Sequence, residues 1–243
     1  MIEAEIEVLK AMGIEFKCGI EVGKDISLDD LRKEGYEAFY VAIGAQGSRK
    51  LNIPGEENKM VESGIDFLRK VNKTEDPNLI SGDVVVVGGG NVAIDVARAA
   101  LRSGAEKVHL CSLEQECEMP ASPEEVSEAK EEGILLHCGW GPKEILEDSI
   151  VFKKCVSVKD ETGRFNPSYD ENVLETMQCS HIFLSIGQSI IPIQGFDVEV
   201  NPNGTIKADG TTLQTSIEDV FAGGDVYTGP KFAIDAISHG KEA

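Results

Sequence analysis

Apolar residues recur along the chain with two different periods, and the alternation between them sets the expected architecture. Over 2–12, Ile2, Ile6, Leu9 and Met12 fall at helical spacing and Gly13 closes the run, which predicts an amphipathic helix. The stretch 14–16 reads as a short strand and 28–33 as a short helix. Residues 38–43 (AFYVAI) read as a buried strand running into Gly44-Ala45. From Gly47 to about Ser81 the pattern breaks, with the turn Ile53-Pro54-Gly55, a helix over 65–71 and a polar loop through Pro77. That segment reads as a crossover between two domains.

The clearest unit begins at Asp83. Val84 to Val87 form a β-branched run, the pattern of a strand buried on both faces. Gly88-Gly89-Gly90 follow, then a helix over 91–103 with apolar residues at Val92, Ile94, Val96, Ala99, Ala100 and Leu101. Gly104 stands at the helix stop and 107–111 is the next strand, which completes a βαβ unit. Ser122 is an N-cap for a charged helix over 123–132 that ends at Gly133. Strands are expected over 134–136, 150–156 and 176–185, with a hairpin turn through 159–172. A strand over 220–222, then Gly223-Gly224-Asp225 and a helix over 230–239, close the chain. Strands alternating with helices predict an α/β fold with a parallel sheet, Rossmann-like in its central unit.

Composition narrows the function. With 23 Lys+Arg against 43 Asp+Glu, the 243-residue chain carries −20. That charge repels nucleic-acid backbones and anionic lipid, which excludes general binding to either. No apolar stretch approaches the roughly 18 residues of a membrane span, so no membrane role is expected. Cys18, Cys111, Cys117, Cys138, Cys155 and Cys179 are scattered without metal-ligand spacing, which fits buried or loop thiols in a reducing, cytoplasmic setting.

The candidate chemistry sits in the glycine turn. Gly88, Gly90 and Ala93 fit G-x-G-x-x-[GA] after a strand and at the start of a helix. The first glycine allows the tight turn, the second clears space for a pyrophosphate, and Ala93 lets helix and strand pack closely. Amides from Gly88 to Asn91, with Gly89 and Val92 in the same turn, would face the phosphates at the positive end of the helix. The same turn also serves methyltransferases and sugar-nucleotide enzymes, and that alternative stays open. Beyond the second strand stand Ser112 and Glu114, with no Arg or Lys between Lys107 and Lys130. A 2′-phosphate beside Glu114 and Glu116 would be repelled, so NAD(H) is expected over NADP(H), although Glu114 also reads as a solvated loop carboxylate.

At this point the residues resemble a known group. Residues 84–93 (VVVVGGGNVA), 118–122 (EMPAS) and 129–133 (AKEEG) are similar to the glutamate synthase small (β) subunit. That group belongs to the FAD- and NAD(P)H-dependent pyridine nucleotide oxidoreductases, with the reductase half of dihydropyrimidine dehydrogenase. Residues 35–45 (GYEAFYVAIGA), 51–56 (LNIPGE) and 220–229 (VFAGGDVYTG) extend the likeness over nearly the whole chain.

The resemblance implies a Rossmann-like NAD(P)-binding domain (81–194) inserted in a truncated FAD-binding domain (1–50 and 195–243), with 51–80 as a crossover linker. It implies cofactor contacts at Gly44, Gly187, Gly224 and Asp225, with the 230–239 helix aimed at the flavin. Alone, Gly223-Gly224-Asp225 also reads as a loop with a capping aspartate. The Arg-Arg pair that family members carry before Glu-Met-Pro is missing from 111–117, and neither the family's N-terminal βαβ unit with its own G-x-G-x-x-G for FAD nor its upstream cysteine cluster is found in this sequence. The chain is therefore expected to be a fragment that holds FAD weakly or not at all, self-associates, and relies on a missing flavin segment or partner redox subunit. Hydride would pass from the nicotinamide to FAD. The competing reading is a dinucleotide-binding or docking module without turnover. His109, His137, His181 and His239 read as isolated structural residues, Cys111 and Cys117 as separate thiols, and no catalytic side chain or metal site is expected.

Overall fold

The computed structural model describes residues 2–74 and 76–243, which fall into two compact units. Unit 1 takes the chain up to Ala45 and from Ile190 onward; unit 2 is Gln46–Ser189. In chain order, unit 1 begins with α1 (Ile2–Ala11), α2 (Leu28–Lys33) and β1 (Phe39–Val41). Unit 2 opens with β2 (Gly47–Ser48), β3 (Val61–Ser63), α3 (Gly64–Val71), β4 (Asp83–Val87), α4 (Asn91–Arg102) and β5 (Lys107–Ser112). It continues with α5 (Pro123–Glu131), β6 (Leu135–Cys138), β7 (Trp140–Ile145), β8 (Ser149–Lys159), β9 (Phe165–Gln178), β10 (His181–Leu184) and β11 (Gln188–Ser189). Unit 1 resumes with β12 (Val220–Ala222), α6 (Asp225–Thr228) and α7 (Ala233–Glu242).

A five-stranded parallel sheet in the order β3-β10-β4-β5-β6 carries unit 2. The valine run of β4 explains why both faces must be covered. Val84 and Val86 pack with Ile94, Val96 and Ala97 of α4, and with Phe67 of α3, which stacks on Phe183 at 4.1 Å between ring centroids. Val85 and Val87 face the other way, onto Ile150, Phe152 and Met177 of the antiparallel sheet β7-β8-β9. Burying such a face removes apolar area worth roughly 25 cal/mol per Å². In unit 1, β1 and β12 pair in parallel over a small core of Val41, Ile206, Val220, Ala222 and Val226. Arg32 of α2 grips Asp219 through Nε and Nη2 at 2.7 and 2.8 Å, and this hydrogen-bonded ion pair holds the Asp219 carboxyl below its ordinary range.

Several expectations are corrected. The segment 51–80 is no linker: it supplies β3 and α3 to the sheet of unit 2. Its strand is a three-residue edge strand, too short to leave a periodic signal. Residues 14–16 form no strand. The expected strand over 176–185 is broken at Cys179-Ser180 into the end of β9 and the whole of β10. Most of 159–172 is strand, not turn, because β9 is a mostly exposed edge strand whose buried positions are too few to enforce alternation. β7 was hidden by Gly141 and Pro142, which a register shift at Pro142/Glu144 accommodates.

Candidate functional site

All five parallel strands end on the same edge of the unit 2 sheet, and the chain steps from β4 through β5 to β6 on one side while β10 and β3 lie on the other. The reversal at β4 marks where ligands enter open α/β sheets. The glycine turn lies there, and its three members differ. Gly88 has φ 147°, and a Cβ on it would collide with the Ser185 carbonyl and stand 3.2 Å from Ala93 Cβ. Its role is to let β4, β10 and α4 close up. A Cβ on Gly89 would meet Glu114 Oε2 at 2.7 Å and Ser112 Cβ at 3.2 Å, so this residue lies against the loop after β5. A Cβ on Gly90 would meet nothing within 4 Å. Gly90 is the N-cap of α4, with no side-chain cap and no acidic residue in the first turn.

The amide inventory sharpens the expected cradle. The Gly88 N–H is not free: it donates to the Cys111 carbonyl at 2.9 Å. Among the described residues, the amides of Gly89, Gly90, Asn91 and Val92 have no acceptor. The Asn91 side chain is committed elsewhere, because its Oδ1 accepts the Ser122 amide at 2.8 Å. The Ala121 amide donates to the Gly89 carbonyl at 3.0 Å, so the Met-Pro-Ala-Ser segment is laced to the turn. Val92 packs against the core and Ala93 is fully buried; their side chains serve packing. The remaining feature is an uncovered, positively polarised helix end beside an open glycine.

Around it, Ser112 is buried and its hydroxyl donates to the Glu114 carbonyl at 3.0 Å, which shapes the loop. The Glu114 carboxylate lies over Gly89. Gly187 follows β10 with φ 113°, and a Cβ there would stand 3.4 Å from Arg49 Cδ and 3.6 Å from Arg49 Nε. Arg49 donates its amide to the Gly187 carbonyl at 3.2 Å. Arg49 stands outside every motif read from the sequence and is remote along the chain. Lys154 was also missed: it lies on β8 opposite Trp140, with Nζ 4.7 Å from the indole centroid.

Gly44, Gly224 and Asp225 belong to unit 1. Asp225 is not a free acceptor, since its Oδ1 takes the Lys231 amide at 3.1 Å. The Gly224 amide donates to His239 Nδ1 at 3.1 Å. The Tyr40 hydroxyl and the His239 Cβ occupy the space beside Gly223, and a Cβ on Gly224 would stand 3.3 Å from Ala236 Cβ.

Among the described residues, the buried cysteines are poorly placed for chemistry. Burial pushes the Cys179 thiol up to about 12 and the Cys111 thiol higher still, so neither is a nucleophile near neutral pH. Cys111 is buried and Cys117 exposed, both as free thiols. His109 and His137, read as isolated, meet across β5 and β6 with Nδ1 and Nε2 2.9 Å apart. Among the described residues no cluster of three metal-ligating side chains occurs, and no helix is long and apolar enough to cross a membrane.

Comparison with known proteins shows the family of the chain. Residues 2–240 match the family described as pyridine nucleotide-disulphide oxidoreductase. The β subunit of an NADP(+)-dependent formate dehydrogenase from Moorella thermoacetica is 35% identical over 252 residues, covering 100% of this chain and 36% of that protein. The small chain of a glutamate synthase [NADPH] from Halomonas elongata is 30% identical over 263 residues, covering 100% and 56%. The chain thus spans about a third to just over half of the length of these curated relatives. Among solved structures, FprA from Mycobacterium tuberculosis in complex with NADPH superposes with a TM-score of 0.75 at 19% identity, over 92% of this chain and 64% of that one. At that identity the likeness is one of fold.

Proposed function

The chain belongs to the pyridine nucleotide-disulphide oxidoreductase family, and from that premise we propose that unit 2 is the nicotinamide-dinucleotide site of a flavoprotein oxidoreductase. The observation that carries the reading is the open space at Gly90 before a helix end whose amides have no acceptor among the described residues. A pyrophosphate fits it by charge and by hydrogen-bonding capacity. The amides of Gly90, Asn91 and Val92 would bind the phosphates, Glu114 would accept from the adenosine ribose hydroxyls, and Gly187 with Arg49 would border the nicotinamide half. Bound dinucleotide supplies the hydride; the protein supplies orientation, which agrees with the lack of an acid–base pair in the site.

The wider activity extends this reading: FAD held by the larger protein would take up the hydride, and a partner subunit or domain would receive the electrons. The relatives named above are subunits or chains of larger oxidoreductases, which supports it. At the end of β12, Asp225 Oδ1 is taken by the Lys231 amide and the Gly224 amide by His239, which leaves these two groups engaged within the chain. The second reading, a binding or docking module without turnover, is favoured for the chain alone by that same observation. Exposed Ile2, Val8, Phe232 and Ile234 on or beside α1 and α7 support the expected self-association. The NADH preference rests on Glu114 and Glu116 and on the lack of Arg or Lys between Lys107 and Lys130, and these relatives, named for NADP(+) and NADPH, do not back it.

A titration tests the core of this proposal. Gly90→Val should abolish dinucleotide binding while leaving the circular dichroism spectrum and the melting temperature nearly unchanged. Undiminished binding in that variant would overturn the site. Oxidation of NAD(P)H with an artificial acceptor, with and without added FAD, separates enzyme from module.

A further inference from the structure

The stretch after β5 contains no cation until Lys130, and the Lys130 ammonium is already held by Glu116 at 2.6 Å. A phosphate on the adenosine ribose would therefore meet Glu114 with nothing in the local sequence to neutralise it. The fold supplies what the sequence lacks. β6 ends at Cys138 and β7 begins at Trp140, which leaves Gly139 between them. The Gly139 amide donates to the Glu114 carbonyl at 2.9 Å, so this glycine is bonded directly to the loop that presents Glu114. A Cβ on Gly139 would lie 3.0 Å from Lys154 Nζ and 2.5 Å from Gln115 Nε2. An ammonium and an amide donor thus converge over one buried residue at the adenosine end of the site.

Lys154 is held there with its charge uncommitted. The Trp140 ring lies under its ammonium, its stem is half-buried, and among the described residues no carboxylate lies within 4.0 Å of it. The adjacent Lys153 is instead paired with Glu171 at 2.7 Å. A half-buried ammonium with no carboxylate partner, beside an amide donor, is the chemistry that recognises a phosphate monoester.

We propose that Lys154, assisted by Gln115, receives the ribose 2′-phosphate, so that the unit 2 site takes NADPH as well as NADH. The inference rests on the dinucleotide reading above. Glu114 and Lys154 then divide the work: the carboxylate accepts from ribose hydroxyls, and the ammonium balances the phosphate dianion that replaces one of them.

The test titrates the full chain, as wild type and as Lys154→Met, Lys154→Arg and Glu114→Gln, with NADH and with NADPH by calorimetry. Lys154→Met should weaken NADPH by about tenfold and leave NADH within about twofold, as expected for one charge-assisted contact. Lys154→Arg should restore NADPH binding, and Glu114→Gln should weaken NADH more than NADPH. Equal loss of both dinucleotides in Lys154→Met, or unchanged NADPH binding, overturns the assignment. Wild type that binds NADH and not NADPH overturns it while the dinucleotide reading stands; wild type that binds neither overturns both.

Discussion

Gly88 is pressed against the Ser185 carbonyl at φ 147°, whereas Gly90 has an extended backbone and faces open space. Alanine at the two positions should therefore separate folding from binding. Gly88→Ala is expected to cost on the order of 2–4 kcal/mol in urea unfolding, since backbone must move to admit the methyl group. Gly90→Ala should stay within about 1 kcal/mol of wild type, the scale of an N-cap change. Equal costs would mean that the two glycines share one role. The histidines make a second residue-scale prediction. Burial, aided by the charge of His137, holds His109 below its ordinary value, and burial does the same to His181. The folded chain thus resists protonation where the unfolded chain, near pH 6.5, accepts it. Their contribution to stability is complete above that pH and is lost as pH falls from it toward the folded values. Unfolding midpoints should drop between pH 7.5 and 5.5, and His109→Leu should flatten the drop; an unchanged slope would contradict this.

Among the elements, α4 and α5 were legible because each combines helical periodicity with a start signal. Ser122 caps α5 as expected, its hydroxyl accepting the Glu125 amide at 3.3 Å. Ser122→Ala should cost about 1 kcal/mol in chemical denaturation, and no measurable loss would show the cap to be idle. The backbone bond from Ser122 to Asn91 survives that substitution, so the turn should keep its form. The strand pattern was readable only where burial enforced it. β4, buried on both faces, appeared at once; β9, mostly exposed, and β7, interrupted by Gly141 and Pro142, did not. The glycine turn was legible because its geometry is local. Lys154 and Arg49 were not, because strand pairing alone brings them to the site from distant stretches.

For the whole molecule, the net charge of −20 is a standing repulsion that compactness must overcome. Raising NaCl from about 10 to about 150 mM should raise the melting temperature, because the screening length falls to roughly 8 Å. A fall would show that ion pairs such as Arg98 with Glu125, Glu128 and Glu132 outweigh the repulsion. Charge set the expectation against nucleic-acid and lipid partners in general. It did not locate the few cations that matter, because a sum over 243 residues carries no positions.

The contacts of Gly88 tie β4 to β5 through the Cys111 carbonyl and press it onto the exit of β10 at Ser185. A turn braced on both flanks cannot be widened for a bulkier ligand without recutting neighbouring strands together. On the proposed reading, the Glu114 and Lys154 side chains at the rim tie no two strands together and are open to single substitutions. Cofactor choice is therefore the part of this site that mutation, natural or designed, can most cheaply rewrite.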